Sequence, residues 1–283
     1  MKKLYSPKVV KDIIDLYDFN FKKSLGQNFL IDKNFVDKIV DSADIENENV
    51  LEIGPGIGTI TYEMAKVAKK VVAVEIDQNL IPILDQNLGE FDNTLVINQD
   101  ILKIDLKKLV EEEFNGESFK VVSNLPYYIT TPIIELLITS NLPCKDMTIM
   151  VQKEVGQRML ADENDKEYSS LSVFVKFYSE AKFLVHLPKS VFMPQPKIDS
   201  TILNLRLRIY DDNVNQILLF KLVRAGFNKR RKTILNSLSD VASKDDLRMV
   251  FEKLNLEENL RAEKLSLDDF INLSYELEKC GYK

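Results

Sequence analysis

Histidine and cysteine, which carry much of the acid–base, nucleophilic and metal chemistry of enzymes, are almost missing from this chain of 283 residues. The single histidine, His186, lies between two apolar residues, and we interpret it as structural. Cys144 and Cys280 are far apart and lack the spacing of metal ligands. The pattern argues against a histidine-based triad and a multi-histidine metal site, and we predict no bound metal. It also indicates a reducing, cytoplasmic setting with structural thiols.

Long hydrophobic runs are missing as well. Nowhere do 18 apolar residues follow one another, so we expect no membrane span. Lys2 and Lys3 are not followed by an apolar segment, and we therefore expect no secretory signal. The apolar content of 45% and the charged content of 29% are typical of a soluble globular protein with room for one large and one small domain.

Basic residues are outnumbered by acidic ones overall but are concentrated in one stretch. The net charge of −6 argues mildly against a polyanionic partner. Between Arg206 and Lys232, however, eight basic residues stand against two acidic ones, Asp211 and Asp212. A basic zone within an acidic protein predicts a localised nucleic-acid contact.

A strand, a glycine-rich turn and a helix follow one another early in the chain. Residues 50–53 form a short apolar strand, Gly54-Pro55-Gly56-Ile57-Gly58 follows directly, and residues 59–70 have helical spacing. A second strand ends at Glu75, 21 residues past Gly54, the offset of an acid that binds ribose hydroxyls. The third glycine comes one place too early for a dinucleotide fingerprint. The pattern therefore favours a nucleoside site.

Polar residues also follow the next two predicted strands. Asp100 comes at the end of the third strand and Asn124 at the end of the fourth. In an open α/β sheet, ligands bind beyond the carboxyl ends of the strands. We therefore expect Gly54, Glu75, Asp100 and Asn124 to form one site, although Asp100 taken by itself would be interpreted as a turn residue.

The fourth strand runs into the tetrapeptide Asn124-Leu125-Pro126-Tyr127. Pro126 cannot continue a ladder and pushes Leu125 toward an extended backbone. The Asn124 side chain and the Leu125 carbonyl then offer two neutral acceptors beside the flat ring of Tyr127, as an exocyclic amine of a nucleobase requires. Phe192, in a proline-stiffened loop, could form the opposite wall. The alternative is a strand-to-helix turn with Tyr127 in the core and Phe192 as a buried loop anchor.

Periodicity predicts the remaining elements. Residues 1–23 contain a helix, and further strands are predicted at residues 147–151, 173–178, 181–187 and 198–209. Beyond residue 211 the spacing is helical, with a capping box at Ser266 and Asp269. The fold is therefore predicted to be α/β, with a main domain at residues 1–209 and a small helical domain at residues 210–283.

Several motifs in order along nearly the whole chain resemble the KsgA/RsmA family, S-adenosylmethionine-dependent dimethyltransferases of small-subunit ribosomal RNA. They are Gly26-Gln27-Asn28-Phe29-Leu30, Glu52-Ile53-Gly54-Pro55-Gly56-Ile57-Gly58, Asn124-Leu125-Pro126-Tyr127, Phe192-Met193-Pro194-Gln195-Pro196-Lys197-Ile198-Asp199-Ser200 and Ala225-Gly226-Phe227-Asn228-Lys229-Arg230-Arg231-Lys232-Thr233. The resemblance implies a Rossmann-like class I methyltransferase domain, followed by a helical domain that binds RNA or the ribosome.

The resemblance also implies roles for individual residues. S-adenosylmethionine would be held by Asn28, Leu30, Gly54, Glu75, Asp100 and Asn124. The target amine would be held by Asn124 and the Leu125 carbonyl, and the target base would lie between Tyr127 and Phe192. RNA would be bound by Lys229, Arg230, Arg231 and Lys232. The expected partner is small-subunit ribosomal RNA in an immature subunit, with a cytoplasmic monomer acting on two adjacent adenosines.

Other functions stay open at this stage. The antibiotic-resistance methyltransferases of large-subunit RNA share much of the pattern, although Leu125 and the Lys197-Ile198-Asp199-Ser200 segment look more like the small-subunit branch. A ribosome-assembly factor whose binding outweighs methylation and a small-molecule methyltransferase are further alternatives. A nicotinamide dehydrogenase is disfavoured by the glycine spacing.

Overall fold

The computed structural model describes residues 2–208, 213–229 and 231–283. It divides into two compact units, Met1–Gly156 with Lys182–Leu207 and Gln157–Ala181 with Arg208–Lys283. This division differs from the predicted one because residues 157–181 group with the C-terminal helices. The predicted boundary itself, between residues 209 and 210, lies outside the described residues.

Nine strands and twelve helices are found in the described part of the chain. The strands are β1 (Phe29–Leu30), β2 (Asn49–Ile53), β3 (Lys70–Glu75), β4 (Thr94–Asn98), β5 (Phe119–Asn124), β6 (Cys144–Gln152), β7 (Ser179–Leu187), β8 (Phe192–Met193) and β9 (Ser200–Leu207). The helices are α1 (Pro7–Leu16), α2 (Lys33–Ala43), α3 (Thr59–Met64), α4 (Ile81–Leu88), α5 (Leu106–Phe114), α6 (Thr130–Thr139), α7 (Lys153–Leu160), α8 (Ser170–Tyr178), α9 (Gln216–Asn228), α10 (Ile234–Leu238), α11 (Lys244–Lys253) and α12 (Leu267–Lys279).

The first unit is built on a seven-stranded sheet in the order β4-β3-β2-β5-β6-β9-β7. Strands β2 to β6 pair in parallel, and β9 runs antiparallel to β6. The central strands are buried along almost their whole length, as strands covered on both faces are. The order changes direction between β2 and β5, the kind of switch point where open sheets bind ligands.

The parallel register brings the carboxyl ends of the strands to one edge. Ile53 is paired with Val74, Glu75 with Asn98, and Asn124 with Met150. The ladder continues one step past β2, where the amide of Gly54 donates to the carbonyl of Val74 at 2.9 Å. The predicted convergence of these strand ends is therefore confirmed.

Two clusters of apolar side chains pack the first unit. One holds α2 and α3 to the sheet through residues such as Val36, Ile39 and Met64, all fully buried. The other holds α1 and α4 through Val10 and Leu84, together with the ring of Phe29 from β1. The N-terminal helix predicted within residues 1–23 is thus part of the core of this unit.

The second unit is helical, and its core includes the fully buried Phe270 and Leu222. The strand predicted at residues 173–178 is wrong, because this segment lies in α8. The i,i+4 pair Val173 and Phe177 is buried on one side of the helix, and Ser169 begins it in a capping box with Ser172. The β-branched and aromatic residues of this segment favoured a strand. In the structure, however, the residues buried in the core of the unit are spaced one helical turn apart.

The capping box predicted at the start of the last helix is confirmed. The hydroxyl of Ser266 accepts from the amide of Asp269, whose carboxylate accepts from the amide of Ser266 at 2.8 Å. Within the described residues, no helix has the combination of length and apolar character that crossing a bilayer requires.

Candidate active site

A cavity in the first unit opens at the carboxyl edge of the sheet. It is lined by the segment around β1, the turn after β2, the ends of β3 and β4, and the segment after β5 (residues 25–30, 52–56, 59–60, 74–76, 80, 99–101 and 124–129). All but one of the residues predicted to bind the cofactor or the target base contribute to this lining. They are Asn28, Leu30, Gly54, Glu75, Asp100, Asn124, Leu125 and Tyr127.

Asn124 ends β5 and presents an unpaired acceptor to the site. Its Nδ2 donates to the backbone carbonyl of Asn28 at 3.2 Å. Its Oδ1 is buried and has no hydrogen-bond partner among the described residues. A buried amide oxygen without a partner is costly by about 1–3 kcal/mol, so such groups are rare outside functional sites. A donor group on a bound molecule would satisfy it.

The chain after Asn124 is held in the conformation that the proline predicted. The amide of Leu125 donates to the carbonyl of Met150 at 3.1 Å, which extends the ladder by one residue. The carbonyl of Pro126 accepts from the amide of Ile129 and from the hydroxyl of Thr130, both at 3.1 Å. These bonds fix the turn that leads into α6.

The ring of Tyr127 is anchored at its far end. Its hydroxyl is hydrogen-bonded to the hydroxyl of Ser200 at 2.6 Å, which fixes the ring as part of the cavity wall. Burial raises the pKa of Tyr127, although the bond to Ser200 lowers it in part, and the residue remains a neutral phenol at physiological pH. The ring is therefore a flat, uncharged and rigid surface.

Glu75 lies at the end of β3 with only 4% of its surface exposed. Its Oε1 accepts from the amide of Asp77 at 2.8 Å, and its Oε2 accepts from the amide of Gly56 at 3.3 Å. Burial raises the pKa of Glu75 to about 7, although these two hydrogen bonds lower it in part. A donor pair on a ligand would stabilise the ionised form.

The glycine turn after β2 brings backbone close to this carboxylate. Gly54 and Gly56 have φ values of +69° and +61°, where side chains with a Cβ are strained. A Cβ on Gly56 would also lie 3.0 Å from the ring of Phe29, and one on Gly54 would lie 3.3 Å from Pro126. Both the conformation and the space at this turn therefore require glycine.

Asp100 and Asn28 complete the polar lining. The carboxylate of Asp100 accepts from the amide of Leu102 at 3.1 Å and lies 3.4 Å from Lys103 Nζ. The side chain of Asn28 donates to the carbonyl of Gly26 at 2.7 Å, which tightens the segment before β1. Asp100 is thus both a turn residue and a wall of the cavity.

Phe192 is the one residue predicted to bind the cofactor or the target base that lies outside the lining. It begins β8, which pairs antiparallel with β1 so that Phe192 is opposite Leu30. Its side chain is 3% exposed and packs in the same apolar cluster as Leu30 and Val36. The structure therefore places Phe192 as a buried loop anchor behind β1, the alternative that the sequence had left open.

Glu52 is a buried acid to which the sequence motifs assigned no role. It is 1% exposed, lines the cavity, and accepts from the hydroxyl of Thr61 at 2.5 Å. Burial raises the pKa of Glu52 to about 8, and the nearby Glu75 raises it further while Thr61 lowers it in part. A charged residue inside an apolar strand was the signal that could have identified it.

The predicted RNA-binding residues belong to the second unit. Lys229 is paired with Asp240 at 2.6 Å, whereas Arg231 and Lys232 are exposed. Arg230 lies outside the described residues. Lys229 is exposed too, but its charge is paired, so within the described part of this segment Arg231 and Lys232 offer exposed charges to a polyanion.

The family model for ribosomal RNA adenine dimethylase matches residues 18–279. The chain belongs to this family. The membership confirms the resemblance carried by the sequence motifs, and it confirms that the chain is a ribosomal RNA adenine dimethyltransferase.

Individual relatives are similar over nearly their whole length. Proteins named ribosomal RNA small subunit methyltransferase A from Clostridioides difficile and Alkaliphilus oremlandii are 47% and 48% identical to this chain. The alignments cover 97% of this chain and 96% of the first relative, and 99% of both chains for the second.

Two solved structures share the architecture. A dimethyladenosine transferase from Plasmodium falciparum is 28% identical with a TM-score of 0.77, covering 90% of this chain and 98% of that one. The 23S rRNA methyltransferase ErmE is 24% identical with a TM-score of 0.68, covering 88% and 99%. These likenesses confirm the predicted Rossmann-like α/β fold with a helical C-terminal region.

Proposed function

We propose that this chain transfers methyl groups from S-adenosylmethionine to the N6 amines of two adjacent adenosines near the 3′ end of small-subunit ribosomal RNA. The small-subunit target is supported by the names of relatives at 47–48% identity. The observation that carries the chemistry is the buried Oδ1 of Asn124, which has no partner among the described residues, in a residue that lines the same cavity as Tyr127. An acceptor without a donor, next to a flat wall, suits a base that presents an NH₂ group.

The cavity lining fits a nucleoside cofactor. Glu75 offers a buried carboxylate to the two ribose hydroxyls, and the raised pKa of this group is what a bound pair of donors would reverse. Gly54 lets the backbone approach the ligand, and Asp100 provides an acceptor for an adenine amine. Asn28 and Leu30 would line the methionine part. When bound, S-adenosylmethionine supplies an electrophilic methyl group on a sulfonium.

Asn124 and Leu125 act on the target nitrogen. The N6 amine of adenine is a poor nucleophile because its lone pair is delocalised into the ring. As the methyl carbon would form its bond to this nitrogen, its bond to the sulfonium sulfur would break and S-adenosylhomocysteine would be left. Positive charge would then develop on the nitrogen, and its N–H groups would become stronger donors. Hydrogen bonds to Asn124 Oδ1 and the Leu125 carbonyl then stabilise the transition state more than the ground state.

The size of this effect is consistent with a transfer that requires no general base. A charge-assisted hydrogen bond contributes about 1.5–3 kcal/mol, so two contribute roughly 3–6 kcal/mol. This corresponds to a rate factor on the order of 10²–10⁴. Alignment of the two reacting atoms contributes up to about 7–11 kcal/mol. The proton released from nitrogen after the transfer can pass to water.

Tyr127 holds the plane of the target base. Stacking of a base on an aromatic ring contributes about 1–3 kcal/mol, which offsets part of the cost of extruding the adenosine from its RNA context. In this proposal Tyr127 supplies that surface, and its bond to Ser200 keeps the ring in place. Phe192 supports β1 from behind and would reach the base as a second wall only after leaving the apolar cluster around Leu30.

The partner is small-subunit ribosomal RNA within an immature subunit, and Lys229, Arg230, Arg231 and Lys232 would contact its phosphates. We expect a cytoplasmic monomer. A main domain at residues 1–209 would carry the chemistry, and the helical residues 210–283 would bind RNA. The exposed charges of Arg231 and Lys232 are what support this assignment.

Mass mapping of methyl groups tests the proposal. Immature small subunits from cells that lack their own adenine dimethylase are incubated with the protein and S-adenosylmethionine. Two dimethylated adjacent adenosines near the 3′ end are expected. Methylation of large-subunit RNA instead would favour the antibiotic-resistance type of activity. If an Asn124→Ala protein without transferase activity restores subunit maturation fully, the assembly role outweighs the methylation.

A further inference from the structure

Asp77 is a buried acid next to the cavity that none of the assigned roles uses. It comes two residues after Glu75, and its side chain is completely buried. Its Oδ1 accepts from Lys22 Nζ at 2.7 Å and its Oδ2 accepts from Gln27 Nε2 at 2.7 Å. Its backbone amide donates to Glu75 Oε1 at 2.8 Å. Asp77 itself does not line the cavity.

The two side chains that reach Asp77 come from one short segment, residues 22–28, that covers one side of the cavity. This segment is folded on itself, because the amide of Lys22 donates to Gln27 Oε1 at 2.7 Å and the amide of Leu25 donates to the carbonyl of Lys22 at 3.0 Å. Its last residue, Asn28, accepts the hydrogen bond from Asn124. The Asp77 carboxylate therefore connects residues 22–28 to the end of β3.

We propose that Asp77 is a positioning residue that holds residues 22–28 against the cofactor cavity and orients Glu75 toward the ribose. The proposal rests on the proposed function, because it presumes that the cavity binds S-adenosylmethionine. Asp77 contacts neither the cofactor nor the target base. Its side chain acts through Lys22 and Gln27, and its backbone amide, which is independent of the side chain, donates to Glu75.

A role as a helix cap would explain only one of the three hydrogen bonds that the Asp77 side chain accepts. Its Oδ1 also accepts from the amide of Asn79 at 3.1 Å and so caps the short 3₁₀ turn Gln78–Leu80. A capping role needs neither Lys22 nor Gln27. Asp105 provides the comparison, because it caps α5 through the amide of Lys108 at 3.0 Å. An acid that caps a helix in this fold therefore does not require additional side-chain partners such as Lys22 and Gln27.

The charge on Asp77 is maintained despite its burial. Burial by itself would raise the pKa of this carboxyl, but the hydrogen bonds from Lys22 and Gln27, with that from Asn79, bring it below its ordinary value. At neutral pH the carboxylate is therefore ionised and accepts from both side chains. An asparagine at this position could not accept from both.

Binding of S-adenosylhomocysteine, which undergoes no turnover, tests the proposal by calorimetry. In Asp77→Asn we expect the Kd to rise about 10-fold or more, because the variant cannot form the charge-assisted hydrogen bonds to this buried group. At saturating cofactor, kcat should change less than about 3-fold. Lys22→Met, which alters a residue outside the cavity lining, should weaken binding in the same direction, and the double variant should bind no more weakly than Asp77→Asn alone.

Hydrogen exchange and a matched control separate positioning from folding. Amides of residues 22–28 should exchange faster in Asp77→Asn and Lys22→Met, while Asp105→Asn should leave both exchange and Kd unchanged. Wild-type affinity in Asp77→Asn, unchanged exchange in residues 22–28, or an equal loss in Asp105→Asn would each overturn the proposal. If the wild-type protein itself does not bind S-adenosylhomocysteine, the proposed function fails, and this inference fails with it.

Discussion

The Nδ2 of Asn124 donates to the backbone carbonyl of Asn28 at 3.2 Å, and this contact decides which atom of the amide is left as the free acceptor among the described residues. With the amide reversed, two oxygens would face each other, so the hydrogen-bond network assigns Oδ1 to the buried position that has no partner among the described residues. The segment before α2 thus orients the acceptor at the end of β5. Asn28 and Asn124, which are almost a hundred positions apart in sequence, therefore contribute to the same site.

Replacing Asn124 by alanine should remove both the Oδ1 acceptor and the hydrogen bond to the carbonyl of Asn28. We expect the rate of methyl transfer to fall by about 10²-fold or more, while the Kd of the cofactor changes only a few-fold, because the other cofactor-binding groups come from other strands. Radiolabelled methyl incorporation into small-subunit RNA measures the first quantity and calorimetry measures the second.

Asn93→Ala is the control for the Asn124 variant. Asn93 donates to the carbonyls of Ala65 and Ala68 at 2.9 Å and does not line the cavity. Its replacement should lower stability without lowering the transfer rate of the folded protein. Full methyl incorporation by Asn124→Ala would refute the role of its amide oxygen.

The contributions of the Tyr127 ring and of its hydroxyl to catalysis can be measured separately. Tyr127→Phe keeps the ring and removes only the bond to Ser200, so we expect kcat/KM for RNA within about 5-fold of wild type. Tyr127→Ala removes the stacking surface, worth about 1–3 kcal/mol, and should lower kcat/KM by about 10-fold to 100-fold. Equal decreases in the two variants would mean that the hydroxyl, not the ring, carries the effect.

The strand ends of the site were predictable from the sequence because parallel strands impose a common edge. The site includes four residues at or just after the ends of successive apolar strands, Gly54, Glu75, Asp100 and Asn124. Because a helix connects each strand to the next, the strands are parallel and their carboxyl ends lie at the same edge of the sheet, whichever residues the helices contain. The glycines were predictable for a related reason, since a turn between strand and helix with φ values above zero favours glycine.

Tertiary packing decided the features that the sequence did not reveal. Residues 170–178 have strand-like composition, yet a helical core buries Val173 and Phe177 one turn apart. Phe192 belongs to a site motif, yet the pairing of β8 with β1 turns its side chain into an apolar cluster. Asp77 looks like an ordinary turn residue, because its partners Lys22 and Gln27 are about fifty positions away.

Glu52 should make the folding stability of the protein depend on pH. The pKa of this buried carboxyl is raised from 4.5 to about 8, so the folded state holds a proton that the unfolded state releases. The stabilisation from this group is therefore present at low pH and is lost as pH rises through about 8. The slope is at most about 1.4 kcal/mol per pH unit.

Glu52→Gln removes this titration while keeping an oxygen that can accept from Thr61. We expect the variant to be close to wild type in free energy of unfolding near pH 5 and more stable than wild type at pH 9. Urea unfolding at several pH values measures the difference. Parallel curves for the two proteins across this range would show that Glu52 does not titrate with a raised pKa.

Arg231 and Lys232 should set the salt dependence of RNA binding, because their exposed charges can neutralise phosphates and release counterions. The double variant Arg231→Glu/Lys232→Glu should bind small-subunit RNA more weakly, and the slope of log Kd against log salt should fall by about 0.7–0.9 for each phosphate that is no longer neutralised. Fluorescence anisotropy between about 50 and 200 mM salt measures this slope.

The matched control for this charge reversal is Lys253→Glu/Lys279→Glu, which makes the same change in net charge. Both lysines are in α11 or α12 and pair with Glu276. If RNA binding responds only to total charge, affinity and salt slope should decrease equally in the two double variants. A larger decrease for Arg231 and Lys232 would assign RNA binding to their segment, because a local interaction with phosphate disappears only where the cations have been removed.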